Sequence, residues 1–190
     1  MIIKKTVYFE KPGRDNTADC VSVVKEAVKT EGYRNIVLAT TTGETAIAMG
    51  DALRDSRVNI VAVTHSMGFK EPNTTSVSRE TRQKIESLGI KIFTGPMLTH
   101  SLETSLNHKF QGIYPTMIIA QSLKRFGEGS KVACEIVMMA ADAGLIPEAE
   151  EVLAVAGTAR GADTVLLVRS AVSKRFLELR VLEVLAKPRV

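Results

Sequence analysis

The chain contains no tryptophan, and only 5% of its 190 residues are aromatic. No stretch interleaves those aromatics with lysine or arginine, so a stacking platform for single-stranded nucleic acid is not expected. Cysteine is scarce too. Cys20 and Cys134 fall at apolar positions of helical patterns, where a thiol behaves as a small hydrophobe, and they read as reduced core residues. The three histidines, His65, His100 and His108, have no metal-ligand spacing to one another or to a Cys or carboxylate cluster, so no metal site is expected. Long apolar runs are missing: no window approaches the roughly 18 residues of a membrane span. The start Met1-Ile2-Ile3-Lys4-Lys5 is too short an apolar run for a signal peptide, which leads us to expect a cytoplasmic protein with no membrane partner.

An excess of one charge is confined to one place. Residues 1–168 hold 19 basic and 19 acidic side chains, whereas residues 169–190 hold six and two, so the net +4 belongs to the C-terminal segment. A duplex-binding surface would more usually be a broad patch or a helix-long stripe, and no nucleic-acid partner is expected. The cations around this last strand are expected to protect a sheet edge from unwanted pairing.

The chain does have enough apolar content to fold alone. At 45% hydrophobic, one domain of this length should bury roughly 70% of the surface its unfolded chain exposes. Short β-branched runs (6–9, 35–40, 59–64 and 90–93) alternate with helical periods, the pattern of a parallel sheet covered by helices. The first helix places Cys20, Val21, Val24, Ala27 and Val28 on one stripe, with Asn16 or Thr17 as its cap and Gly32 as its stop. Strand signals vanish over about 96–147, where two helices, Pro115 to about Gly127 and Ser130 to about Gly144, read as a helical insertion. Strands return at Glu151–Ala156, Thr164–Arg169 and Leu177–Leu185, the last two close enough for antiparallel pairing. The expected fold is a single three-layer α/β/α domain with a mixed, mostly parallel sheet.

Two loops could bind an anion. Thr40-Thr41-Thr42-Gly43-Glu44-Thr45-Ala46 lies between a strand and a helix, where free backbone N–H groups, the helix dipole and hydroxyls converge. It lacks the Gly-Lys-Ser/Thr ending of a Walker loop. Thr41 and Glu44 could equally form a capping box, and Glu44 turned inward would repel an anion. Gly157-Thr158-Ala159-Arg160-Gly161-Ala162-Asp163 allows a tight turn with a hydroxyl and a planar donor fork, or serves as a plain strand connection. A third loop, Thr64-His65-Ser66-Met67-Gly68-Phe69, also leaves the carboxyl end of a strand, where parallel sheets hold ligands. Glu135 and Asp142 are the paired carboxylates on one helix that could act as acid and base.

Thr40 to Ala46, followed by Val61-Ala62-Val63-Thr64, resembles the C-terminal α/β domain of pyruvate kinase. There a Thr/Ser-rich loop grips a phosphate of the sugar-bisphosphate activator, and a later loop like Gly157 to Thr164 closes over it. The chain is still more similar to the stand-alone, mainly archaeal proteins named after that domain. The residues that carry this are Tyr8 to Gly13 with Asn16-Thr17, Thr42 to Ala46, Thr64-His65, Gly112 to Pro115, Met139 to Pro147 and Arg160 to Thr164. The resemblance implies a flavin mononucleotide (FMN) cofactor without implying a reaction, a flavin-dependent oxidoreductase being the class that the cofactor's redox chemistry would support. It would put the phosphate on Thr41, Thr42, Gly43 and Thr45, flanked by Glu44. The ring would lie between the loop of His65, Ser66 and Met67 and the loop of Gly157, Thr158, Arg160 and Gly161, shielded by Tyr114. A non-catalytic module that senses a phosphorylated metabolite is the alternative, and a homo-oligomer is compatible with either. Phosphoryl transfer in pyruvate kinase belongs to a separate (β/α)8 barrel larger than 190 residues, so no pyruvate kinase activity is expected.

Overall fold

In the computed structural model, residues 1–189 are described. Seven strands form one sheet in the order β1-β7-β6-β5-β2-β3-β4, with β1 at Val7–Phe9, β2 at Asn35–Ala39, β3 at Asn59–Val63 and β4 at Lys91–Phe93. β5 (Glu151–Ala156), β6 (Thr164–Arg169) and β7 (Arg180–Pro188) complete it. β6 pairs antiparallel with both of its neighbours, and every other pairing is parallel.

The central strands alternate their apolar residues between two faces, and each face has its own helices. Ile36, Leu38, Leu153, Val155 and Leu167 pack with Cys20, Val24 and Ala27 of α1 (Thr17–Glu31), Met49 of α2 (Glu44–Ala52) and Ile85 of α3 (Arg79–Ser87). Val37, Val61, Val152, Ala154 and Leu166 face α6 (Glu128–Asp142) through Ala133, Val137 and Ala140. Three layers result. The expected stop of α1 is present, since Gly32 takes a left-handed conformation and donates to Val28 O at 3.2 Å. Asn16 gives α1 no side-chain cap; its amide instead donates to Lys11 O and Gly13 O.

Three details differ from the sequence expectation. A further helix, α4 (Leu102–Phe110), precedes α5 (Pro115–Leu123), and neither covers the sheet: α4 buries no residue and α5 buries only Ala120. α6, by contrast, buries twelve residues and supplies one whole layer. The last strand begins at Arg180 instead of Leu177, because 173–178 is a 3₁₀ turn that takes in its first two expected residues. Arg175 N donates to Val172 O at 2.9 Å and Leu179 N to Phe176 O at 3.1 Å, closing turns where apolar spacing suggested extension. Finally, β7 is not an edge, since it lies between β6 and β1. The edges are the three-residue strands β1 and β4, protected by their shortness. The C-terminal cations have local partners instead: Arg175 pairs with Glu148, and the Lys187 ammonium lies 5.8 Å from the Tyr8 ring centroid.

Candidate functional site at the switch point

β2 and β5 are parallel neighbours at which the strand order reverses: β2 runs on through α2 on one face, whereas β5 is entered from α6 on the other and leaves by the 157–163 loop to β6. This is a topological switch point, where the diverging loops open a crevice beyond the carboxyl ends of the strands. Two cavities open beside it, and only the smaller reaches the β5–β6 loop, through Arg160. The larger, about 290 Å³, lies between the ends of β2 and β3 and the first half of α6. Its wall includes Thr41, Val63, His65, Phe69, Met97, His100, Ile136 and Met139, with Lys124, Glu128, Lys131 and Glu135. The smaller, about 210 Å³, is lined by Thr41, Thr42, Ser66, Phe69, Lys70, Glu71, Thr74, Thr75, Ser76 and Arg160. Thr41 and Phe69 belong to both.

The smaller cavity has the chemistry of an anion site. It brings six hydroxyl side chains together with the cations of Lys70 and Arg160, against the single carboxylate of Glu71. Among the described residues neither cation makes an ion pair. The capping box does not form. Gly43 is the N-cap of α2, no side chain caps that helix, and the Thr40 hydroxyl accepts from Gly43 N at 3.1 Å. The first-turn N–H groups beside Thr42 therefore keep their capacity to donate. Glu44 points outward, three-quarters exposed, with its carboxylate 3.8 Å from the Arg14 guanidinium.

The larger cavity is apolar at one end and ionic at the other. The His65 ring stacks on Phe69 with centroids 4.3 Å apart and planes 6° from parallel. Its Nδ1 is buried without a hydrogen-bond partner. Burial, reinforced by the nearby positive charge of Lys70, holds the His65 pKa below the usual histidine range and favours the neutral ring. Opposite lies a buried ion pair. Lys131 Nζ donates to Glu135 Oε2 at 2.7 Å, and both side chains are 4% exposed. Glu135 Oε1 accepts from Thr99 N and Thr99 Oγ1, each at 2.7 Å. Burial alone would raise the Glu135 pKa, but the Lys131 charge and these donors outweigh it, and the carboxyl titrates below its usual value.

The remaining expected residues have other roles. Gly157 and Gly161 line neither cavity, and the close backbone approach they permit is to the protein itself. A Cβ on Gly157 would lie 2.8 Å from Gly161 O, and one on Gly161, at φ +71°, would lie 2.5 Å from Arg14 Cα. This loop is fastened by Asp163, whose carboxylate accepts from Gly13 N (2.8 Å), Thr158 N (3.0 Å) and the Thr164 hydroxyl (2.8 Å). Gly43 and Thr45 are buried, and a Cβ on Gly43, at φ +100°, would lie 2.3 Å from Thr81 Cγ2 of α3. Met67 is exposed and Tyr114 half-buried at the start of α5, and neither lines a cavity. Glu135 and Asp142 do not converge. Glu135 faces the larger cavity, whereas the Asp142 carboxylate accepts from Ser173 N at 2.8 Å in another part of the molecule.

Lys131, Lys70, His100 and the Thr74–Ser76 run were missed from sequence. A signal existed for the first: Glu135 breaks an otherwise apolar stretch, Val132 to Ala141, and Lys131, four residues before it, is spaced to pair with it.

A mixed sheet flanked by helices on both faces, with two cavities at the strand ends, defines a three-layer α/β domain. The chain belongs to the family described as pyruvate kinase, alpha/beta domain, whose model matches residues 18–168. A crystal structure of a pyruvate kinase from Cryptosporidium parvum aligns with 85% of this chain and 24% of its own, at 16% identity and a TM-score of 0.42. A crystal structure of O-ureido-L-serine synthase aligns with 69% of this chain and 48% of its own, at 17% identity and a TM-score of 0.32. The chain thus spans about a quarter of one and about half of the other. Among the described residues no helix is long and apolar enough to cross a membrane, and no group of three or more His, Cys, Asp or Glu converges.

Proposed function

We propose that this protein binds a ligand composed of a phosphate and a planar ring, with FMN as the leading candidate, across the two cavities at the switch point. The observation that supports the reading most is their division of labour: they share Thr41 and Phe69, yet one offers hydroxyls and cations and the other an apolar wall with a stacked His65–Phe69 pair. Thr41, Thr42, Ser66, Lys70 and Arg160 would hold the phosphate. His65, Phe69, Met97, Ile136 and Met139 would enclose the ring and keep water from it. FMN so bound would supply one- or two-electron redox chemistry, and the protein would contribute orientation and charge.

A second reading, a module that senses a phosphorylated metabolite without catalysis, is favoured by one observation: Glu135 and Asp142 do not form an acid–base pair at the cavities. A thermal-shift panel of FMN, riboflavin, sugar phosphates and nucleotides separates the two readings. FMN at 100 times its dissociation constant adds about 2.7 kcal/mol, which for this size of domain raises Tm by about 5–10 °C. A sugar phosphate that stabilises the protein while FMN does not would establish the second reading in place of the first.

A further inference from the structure

One charged group on the wall of the larger cavity has hydrogen-bonding capacity that the protein leaves unused. An ammonium carries three donors, and Lys131 Nζ meets one acceptor, Glu135 Oε2. The other oxygen of that carboxylate is already occupied by Thr99 N and Thr99 Oγ1, so Glu135 anchors Lys131 without satisfying it. His65 contributes its ring face, stacked on Phe69, while its Nδ1 is enclosed by the protein. Both residues line the same cavity, and the other carboxylate on its wall, Glu128, is paired with Lys124 at 3.0 Å. Burying a charge at 4% exposure with two of its donors unpaired is costly unless something else completes the shell.

We infer that Lys131 is the specificity-determining cation of the larger cavity, donating to the electron-rich edge of a planar heteroaromatic ligand that presents a carbonyl oxygen beside a ring nitrogen. The His65–Phe69 stack forms the facing wall of the cavity, and Glu135 is a positioning residue that holds the ammonium in place. A neutral ring is bound well by such a cation, and a ring bearing negative charge is bound better, so the site favours the reduced, anionic form of an isoalloxazine over its oxidised form. This inference rests on the flavin reading proposed above.

The test uses FMN itself, oxidised and dithionite-reduced, titrated anaerobically into full-length wild-type protein, Lys131→Met, Lys131→Arg and the double variant Lys131→Met/Glu135→Leu. The double variant keeps the wall apolar, so the experiment survives if Lys131→Met alone does not fold. The readout is the ratio of dissociation constants, reduced over oxidised, which a purely structural role would not move. We expect that ratio to rise at least tenfold in Lys131→Met and in the double variant, and to stay within about threefold of wild type in Lys131→Arg. A wild-type protein that binds FMN with a ratio unchanged by loss of the lysine overturns the role given to Lys131 and leaves the flavin reading standing. A wild-type protein that binds neither form of FMN overturns both.

Discussion

Removing one member of the buried Lys131–Glu135 pair should cost far more than removing both. The two side chains are 4% exposed and 2.7 Å apart, and Glu135 accepts two further hydrogen bonds from Thr99. Glu135→Leu would leave an ammonium buried without its counter-charge, and Lys131→Met a buried carboxylate that keeps only the Thr99 donors. Breaking such a pair from one side costs about 3–5 kcal/mol. For a chain of this length each kcal/mol corresponds to about 2–4 °C, so a fall in Tm of about 6–20 °C is expected for either single variant. The double variant replaces both charges by apolar groups of similar volume and should lie within about 1–2 kcal/mol of wild type, as buried pairs exchanged for hydrophobes generally do. Urea unfolding followed by circular dichroism gives the four corners of a double-mutant cycle, with an expected coupling of several kcal/mol. Additive costs, with the double variant as unstable as the sum of the singles, would refute a buried and mutually dependent pair. The same outcome would remove the reason for Lys131 to have donors to spare.

Three further outcomes follow from the geometry. Asp163→Ala strips the acceptor from Gly13 N, Thr158 N and Thr164 Oγ1 and should cost about 2–4 kcal/mol in urea unfolding; Asp163→Asn, which keeps one carbonyl oxygen there, should cost less than half as much, and equal costs would contradict this fastening role. His65 and His100 both have lowered pKa values, burial being the largest cause in each, so the unfolded chain binds more protons than the folded one between their folded and unfolded values. Stability from these groups is therefore complete above the unfolded value of about 6.5 and declines as pH falls toward the folded values; replacing both by Gln should flatten that decline in urea titrations from pH 8 to 5, and an unchanged slope would show that other groups carry it. Burial pushes the Cys20 thiol up to about 12 and Cys134 up to about 11, so neither should react with a disulfide reagent at pH 8 until the protein unfolds, and prompt labelling of the native state would contradict their burial.

The layered architecture was legible because its signals are periodic and local. β-branched runs such as Ile36-Val37-Leu38 and Val152 to Val155 are fully buried, and helix stripes such as Cys20-Val24-Ala27 repeat at the helical period. The 173–178 turn escaped because short apolar runs do not distinguish strand from 3₁₀ turn. The position of β7 between β6 and β1 escaped because strand order depends on long-range packing. At the site, loops at the carboxyl ends of strands could be read, and Thr41, Thr42, His65, Ser66 and Arg160 do line the two cavities. The glycines carry a structural demand that sequence alone does not show: a Cβ would meet Thr81 of α3 at Gly43, and Arg14 and Thr17 at the start of α1 at Gly161. Lys70, Thr74, Thr75 and Ser76 lie on a loop without periodicity, and only the fold brings them beside Arg160.

If a phosphate in the small cavity and a ring in the larger one belong to a single ligand, removing the phosphate or repelling it must weaken binding of the ring. Native protein is titrated with FMN and with riboflavin, following flavin fluorescence, in wild type and in Thr42→Asp, which adds a carboxylate to the exposed rim of the small cavity without touching the core. The account predicts saturable FMN binding, riboflavin at least tenfold weaker, and FMN affinity in Thr42→Asp reduced at least to the riboflavin level with an unchanged Tm for the unliganded protein. Equal affinity for FMN and riboflavin, unaltered by Thr42→Asp, would contradict it.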